Sequence, residues 1–164
     1  MSWLPRVVEA TRERVSREFD NLGPDACLAE IAEALRQHNP EVLDMAQKCA
    51  RDVGDADEVM IGFAMFYRLL VAQLPKASAQ AHGDVLPRVT PATRSRVASR
   101  IAEQGAEAFT RKTIEHLTQH NPELLAMAHQ SASRHPDYLG TMQGFALVYA
   151  ALVAQADTDR SSAH

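Results

Sequence analysis

The sequence predicts an all-α protein of eight helices, four in each of two tandem copies packed about a pseudo-twofold axis. Three observations predict it. Residues 4–73 lie over residues 86–155 at an offset of 82 without one gap, and 32 of those 70 positions are identical, against about 6% for unrelated chains of average composition. Helix-start and helix-stop residues recur at matched positions in the two copies. No stretch alternates apolar and polar residues in the manner of a half-buried strand. The predicted organisation is a first repeat over residues 1–74, a linker over 75–85, a second repeat over 86–156 and a disordered tail over 157–164. A copy of about 75 residues is marginal alone, so the two are expected to share one core.

Each copy opens on an apolar lead-in, Leu4-Pro5-Arg6-Val7 and Leu86-Pro87-Arg88-Val89, expected to pack beside its own first helix. In the second copy Thr90-Pro91 starts a helix with a hydroxyl N-cap and a proline at the first helical position, where a missing N–H is tolerated. That helix is predicted to reach about Gln104 and stop at Gly105, a residue free to adopt positive φ. The second helix covers about 106–120. Asn121-Pro122-Glu123 then supplies a cap, a first-turn proline and an acid that complements the helix dipole, starting a third helix over about 122–134. His135-Pro136-Asp137 starts the fourth, predicted to end near Gln155. The first copy follows the same plan, with breaks at Gly23-Pro24-Asp25, Asn39-Pro40-Glu41 and Gly54-Asp55.

The fourth helices carry the clearest stripe. Met142, Phe145, Ala146, Tyr149, Leu152 and Val153 share one helical face and match Met60, Phe63, Ala64, Tyr67, Leu70 and Val71. Gly62 and Gly144 sit inside these helices, where glycine costs about 1 kcal/mol relative to alanine. Its presence in both copies implies close approach of another backbone, at a crossing between the copies or within each.

A formal net charge of -4 disfavours nucleic acid and anionic membranes as partners. The first ten residues lack the basic start and apolar run of a secretory signal, and the apolar stretch 59–74 is interrupted by Arg68 and short for a bilayer. Two cysteines, Cys27 and Cys49, make no disulfide framework. The expectation is a cytoplasmic protein with reduced thiols.

Candidate chemistry lies in the matched polar residues. Arg12, Arg14, Arg94 and Arg96 could hold an anionic ligand between the copies, because guanidinium forks fit phosphate and carboxylate. The alternative is that they pair with Glu33 and Glu115, or with Asp55 and Asp137, inside each copy. His38 and His120 join the candidate ligand-binding set, with a structural role at helix C-termini as the alternative. Asn39 and Asn121 are accounted for as caps. His116 and His120 stand four apart on one face, a spacing that can share a metal, and His129 and His135 follow, but the counterparts of His116, His129 and His135 at 34, 47 and 53 are Ala, Gln and Val. No metal, cofactor or catalytic residue is assigned, since no phosphate loop, dinucleotide fingerprint or nucleophile elbow is present.

The reading is therefore a non-enzymatic helical interaction or regulatory protein that binds another protein, with homo-oligomerisation left open. The alternative is a small-molecule binder with an anionic ligand between the repeats.

Overall fold

The computed structural model describes residues 4–74 and 86–162; the linker predicted over 75–85 lies outside them. Among the described residues there are eight helices and no strand: α1 (Glu9–Leu22), α2 (Pro24–His38), α3 (Pro40–Val53), α4 (Ala56–Ala72), α5 (Pro91–Gln104), α6 (Ala106–His120), α7 (Pro122–Ser133) and α8 (Tyr138–Ser162). The breaks fall at the punctuation residues. Gly23 and Gly105 take φ of 92° and 89°, a region that L side chains rarely adopt, so neither α1 nor α5 can run on into its neighbour. Thr90 caps α5 by accepting from Thr93 N, as its position implies.

α8 departs from the expected end near Gln155 and the expected disorder from residue 157. It continues to Ser162. Side chains of its last turns hold it: Thr158 donates to Ala154 O at 3.0 Å, Gln155 donates to Asp159 at 2.9 Å, and Arg96 of α5 donates to Thr158 at 2.8 Å. A small polar tail thus becomes helix because another helix reaches it. The segment Tyr138–Ser161 is long and apolar enough to cross a membrane by length and composition, but 61% of its apolar window is buried inside the protein, as befits a core helix.

The core centres on the aromatic residues of α4 and α8. The ring centroids of Phe63 and Phe145 are 4.5 Å apart, those of Phe66 and Phe145 5.1 Å, and Phe66 meets Tyr149 edge-on at 6.5 Å. α3 lies against α8 and α4 against α7, so helices of the first half pack on helices of the second. Gly62 and Gly144 are close-approach positions, but what approaches is side chain rather than backbone. A methyl at Gly62 would stand 2.1 Å from Ser131 Oγ, and one at Gly144 2.3 Å from Cys49 Sγ and 3.0 Å from Phe63 Cζ. Gly144→Ala is expected to destabilise by about 1–2 kcal/mol, because overlap exceeds the gain in helix propensity. Adding Cys49→Ala should recover part of that loss in urea unfolding; strictly additive losses would count against the overlap.

The two lead-ins are held in matching ways. Asn39 Oδ1 accepts from Val89 N at 2.9 Å while its Nδ2 donates to Pro87 O at 2.8 Å. Asn121 Oδ1 accepts from Val7 N at 2.9 Å while its Nδ2 donates to Pro5 O at 2.8 Å. Neither side chain caps its own helix. The capping role expected of Asn39 and Asn121 is therefore replaced by another: a fully buried amide imitates a strand edge and clamps a chain segment from the opposite half. Each lead-in is also held from its own half, where Gln73 accepts from Val8 N and Gln155 from Thr90 N, both at 3.1 Å.

Candidate functional site

The candidate site is a groove of about 520 Å³, open along one side, where α3 of the first half meets α5, α6 and α8 of the second. That volume falls within the range of ligand-binding clefts. The amphipathic pattern of each helix supplies both floor and lip. Met45 and Phe109, both buried, form the floor with Val53, Ile101 and Leu147. The lip carries Lys48 and Asp52 of α3, Arg94 of α5, Asp137 ahead of α8, and Gln143. Gly140 and Gly144 leave α8 without side chains where it faces Cys49, whose Sγ lies 3.7 Å from Gly140 O.

Electrostatics at the floor are set by burial and two acids. Desolvation, then Asp52 and Asp137, push the Cys49 thiol up to about 11. At neutral pH it is a protonated thiol, a weak nucleophile and a poor metal ligand. Among the described residues no group of three or more His, Cys, Asp or Glu side chains is placed to hold a metal. Asp137 is also a structural anchor: Oδ1 accepts from Gly140 N at 2.9 Å, and its own N–H donates to Nδ1 of the buried His135 at 3.0 Å.

Of the six residues singled out as an anion site, only Arg94 lines the groove. It reaches Glu41 at 3.2 Å and Asp44 at 2.7 Å. Arg12 pairs with Glu123 at 3.0 Å. The ion pairs expected inside each copy, to Glu33, Glu115, Asp55 or Asp137, are replaced by pairs from one half to the other. Arg14 makes a long 3.5 Å contact to Ala72 O at the end of α4, and Arg96 donates to Thr93 and Thr158. His38 and His120 are exposed last residues of α2 and α6. These pairs are about one-third exposed, so Arg12→Ala should cost under about 1 kcal/mol, and less at high salt; a loss insensitive to salt would contradict that.

His120 lies beside His116, with ring centroids 4.4 Å apart. Burial, and then His120, hold the His116 imidazole below its usual 6.5. The folded state therefore prefers neutral His116, and the unfolded state takes up the proton first as pH falls. Stability should be fully present above pH 6.5 and decline below it. His116→Gln should flatten that part of the stability–pH curve; an unchanged slope would assign it elsewhere.

Residues that reasoning from sequence passed over are Asp52, Phe109, Gln143 and Leu147. The signal that marks them is divergence. Of the sixteen groove-lining residues, only Met45, Arg94, Asp137 and Gly144 have an identical residue 82 positions away, a lower share than in the aligned stretch as a whole. Gly140 matches Glu58 and Gln143 matches Ile61, so the lining is particular to one side of the molecule. No protein-family model, curated protein or solved structure matches this chain.

Proposed function

We propose that this chain is a non-enzymatic, cytoplasmic interaction protein in which two tandem copies, related by a pseudo-twofold axis, share one core and present the α3/α5/α6/α8 groove to a partner protein. The single observation that carries the functional reading is the groove itself: an apolar floor under a charged, solvent-facing lip, open along one side. Small-molecule clefts bury most of their ligand, whereas an open groove between helices suits a ligand that stands proud of it. The protonated thiol at its floor supports a binding role over nucleophilic chemistry.

The twofold arrangement is supported by bonds that occur in pairs 82 residues apart. Asn39 to residues 87 and 89 answers Asn121 to residues 5 and 7, and Arg94–Glu41 answers Arg12–Glu123. The cytoplasmic setting is supported only by the two free cysteines. Divergence between copies then has a use. Core, clamps and breaks must match in both halves for the fold, while this groove is free to specialise.

The test is a photoreactive residue placed at Ala98 on the groove lip and, as a control, at Glu30, which does not line the groove. Discrete protein adducts formed in living cells from position 98 alone are expected. Equal labelling from both positions would contradict the reading. The second reading, a small anionic ligand, draws on the cations Lys48 and Arg94 among the lining residues, the latter already paired with Glu41 and Asp44. An organic anion recovered in stoichiometric amount by mass spectrometry of protein purified from its own cells would replace the first reading with it.

A further inference from the structure

We propose that the occupant of this groove is a basic amphipathic helix of a partner protein, about two to three turns long; this rests on the reading of the groove as a protein-docking site. Length comes from the walls. The lining runs from Met45 to Val53 along α3, from Arg94 to Ile101 along α5 and from Gly140 to Leu147 along α8. At 1.5 Å per residue these walls span about 10–12 Å. That matches an apolar stripe at i, i+3 or i+4, and i+7 of a docked helix.

Sign comes from the charges left over once internal pairs are made. Arg94 is neutralised by Glu41 and Asp44. Lys48, Asp52 and Asp137 make no ion pair among the described residues, which leaves two carboxylates against one ammonium on the lip. Both carboxylates line the same groove as Cys49. The first half, which supplies the α3 wall, is acidic as a whole, with thirteen Asp and Glu against eight Lys and Arg over residues 4–74. Residues 86–162, which supply the other walls, are near balance with seven against eight. A lysine or arginine beside the apolar stripe of the incoming helix would meet Asp52 and Asp137. An acidic helix would meet them with like charge, and such mismatch both weakens binding and slows encounter.

The probes are two synthetic peptides of about fourteen residues, each a leucine and alanine stripe with either lysine or glutamate on the flanks, followed by fluorescence anisotropy with the full chain at low salt. The lysine peptide is expected to bind at least about tenfold tighter than the glutamate peptide. Asp52→Lys is expected to remove most of that preference, and Ala98→Trp or Ala106→Trp, each filling the lip, to weaken both peptides about tenfold or more. Thermal unfolding of each variant checks that the fold is kept. Equal affinity for the two peptides, with both displaced by the tryptophan variants, would overturn the basic helix and leave the docking groove standing. Binding that the tryptophan variants leave untouched would overturn both.

Discussion

Asn39→Ala is expected to lower the stability of the fold by about 2–4 kcal/mol, more than its size alone implies. The side chain is wholly buried and bonds Pro87 O, Val89 N and the Tyr67 hydroxyl, the last at 3.3 Å. Alanine cannot replace any of these, and it leaves a backbone N–H and a backbone C=O inside the protein with no partner and no access to water. Each stranded group costs about 1–3 kcal/mol. Asn39→Asp is the informative control. It keeps the acceptor for Val89 N, loses the donor for Pro87 O and buries a carboxylate, so at neutral pH it should be at least as damaging and should recover as acid neutralises it. Asn121→Ala should behave alike but more mildly, because its bond to Pro5 O is only partly buried. Urea unfolding of the four proteins checks the order. Losses below about 0.5 kcal/mol for Asn39→Ala would mean that the clamp is dispensable.

Phe145→Ala is expected to cost about 3–5 kcal/mol, the range for deleting a buried aromatic from a well-packed site. Phe145 has no exposed surface and is wedged between Phe63 and Phe66 of α4. Helices from both halves surround it, so the space cannot close without moving α4 relative to α8. The loss should also be shared. Probes placed in α2 and in α6 should report one coincident transition at lower denaturant, since the buried residues of both halves form one continuous cluster. Separate transitions for the two probes would contradict a common core. Phe145→Leu, which keeps more of the volume, should cost markedly less.

Much of this fold is legible in the sequence because helix punctuation is local chemistry. Gly23 and Gly105 end helices through positive φ, and Pro24, Pro40, Pro91 and Pro122 begin them, without reference to anything distant. What is hidden is which distant group a side chain reaches. Asn39 stands where a capping asparagine would stand, and sequence cannot distinguish an amide turned to its own helix from one turned to a segment 50 residues away. Arg12 and Arg94 are hidden in the same way, since carboxylates of the right charge occur in both halves and only packing selects Glu123 and Glu41. The end of α8 depends on Arg96 reaching Thr158, a contact no composition rule anticipates. The groove is hidden by the self-similarity of the sequence at an offset of 82. Positions identical at that offset lead to the core and the clamps, while Asp52, Phe109 and Leu147 lie at positions that differ.

The groove exists only because α3 of one half is held against α5, α6 and α8 of the other, so the clamp between halves is the claim on which the rest depends. Amide hydrogen exchange under native conditions tests it most directly. In the parent protein the Val89 amide, bonded to Asn39 Oδ1 at 2.9 Å, should exchange only on global unfolding. In Asn39→Ala its protection should fall by about a hundredfold or more, at a residue in the other half of the chain. Equal protection of Val89 in the two proteins would contradict the account.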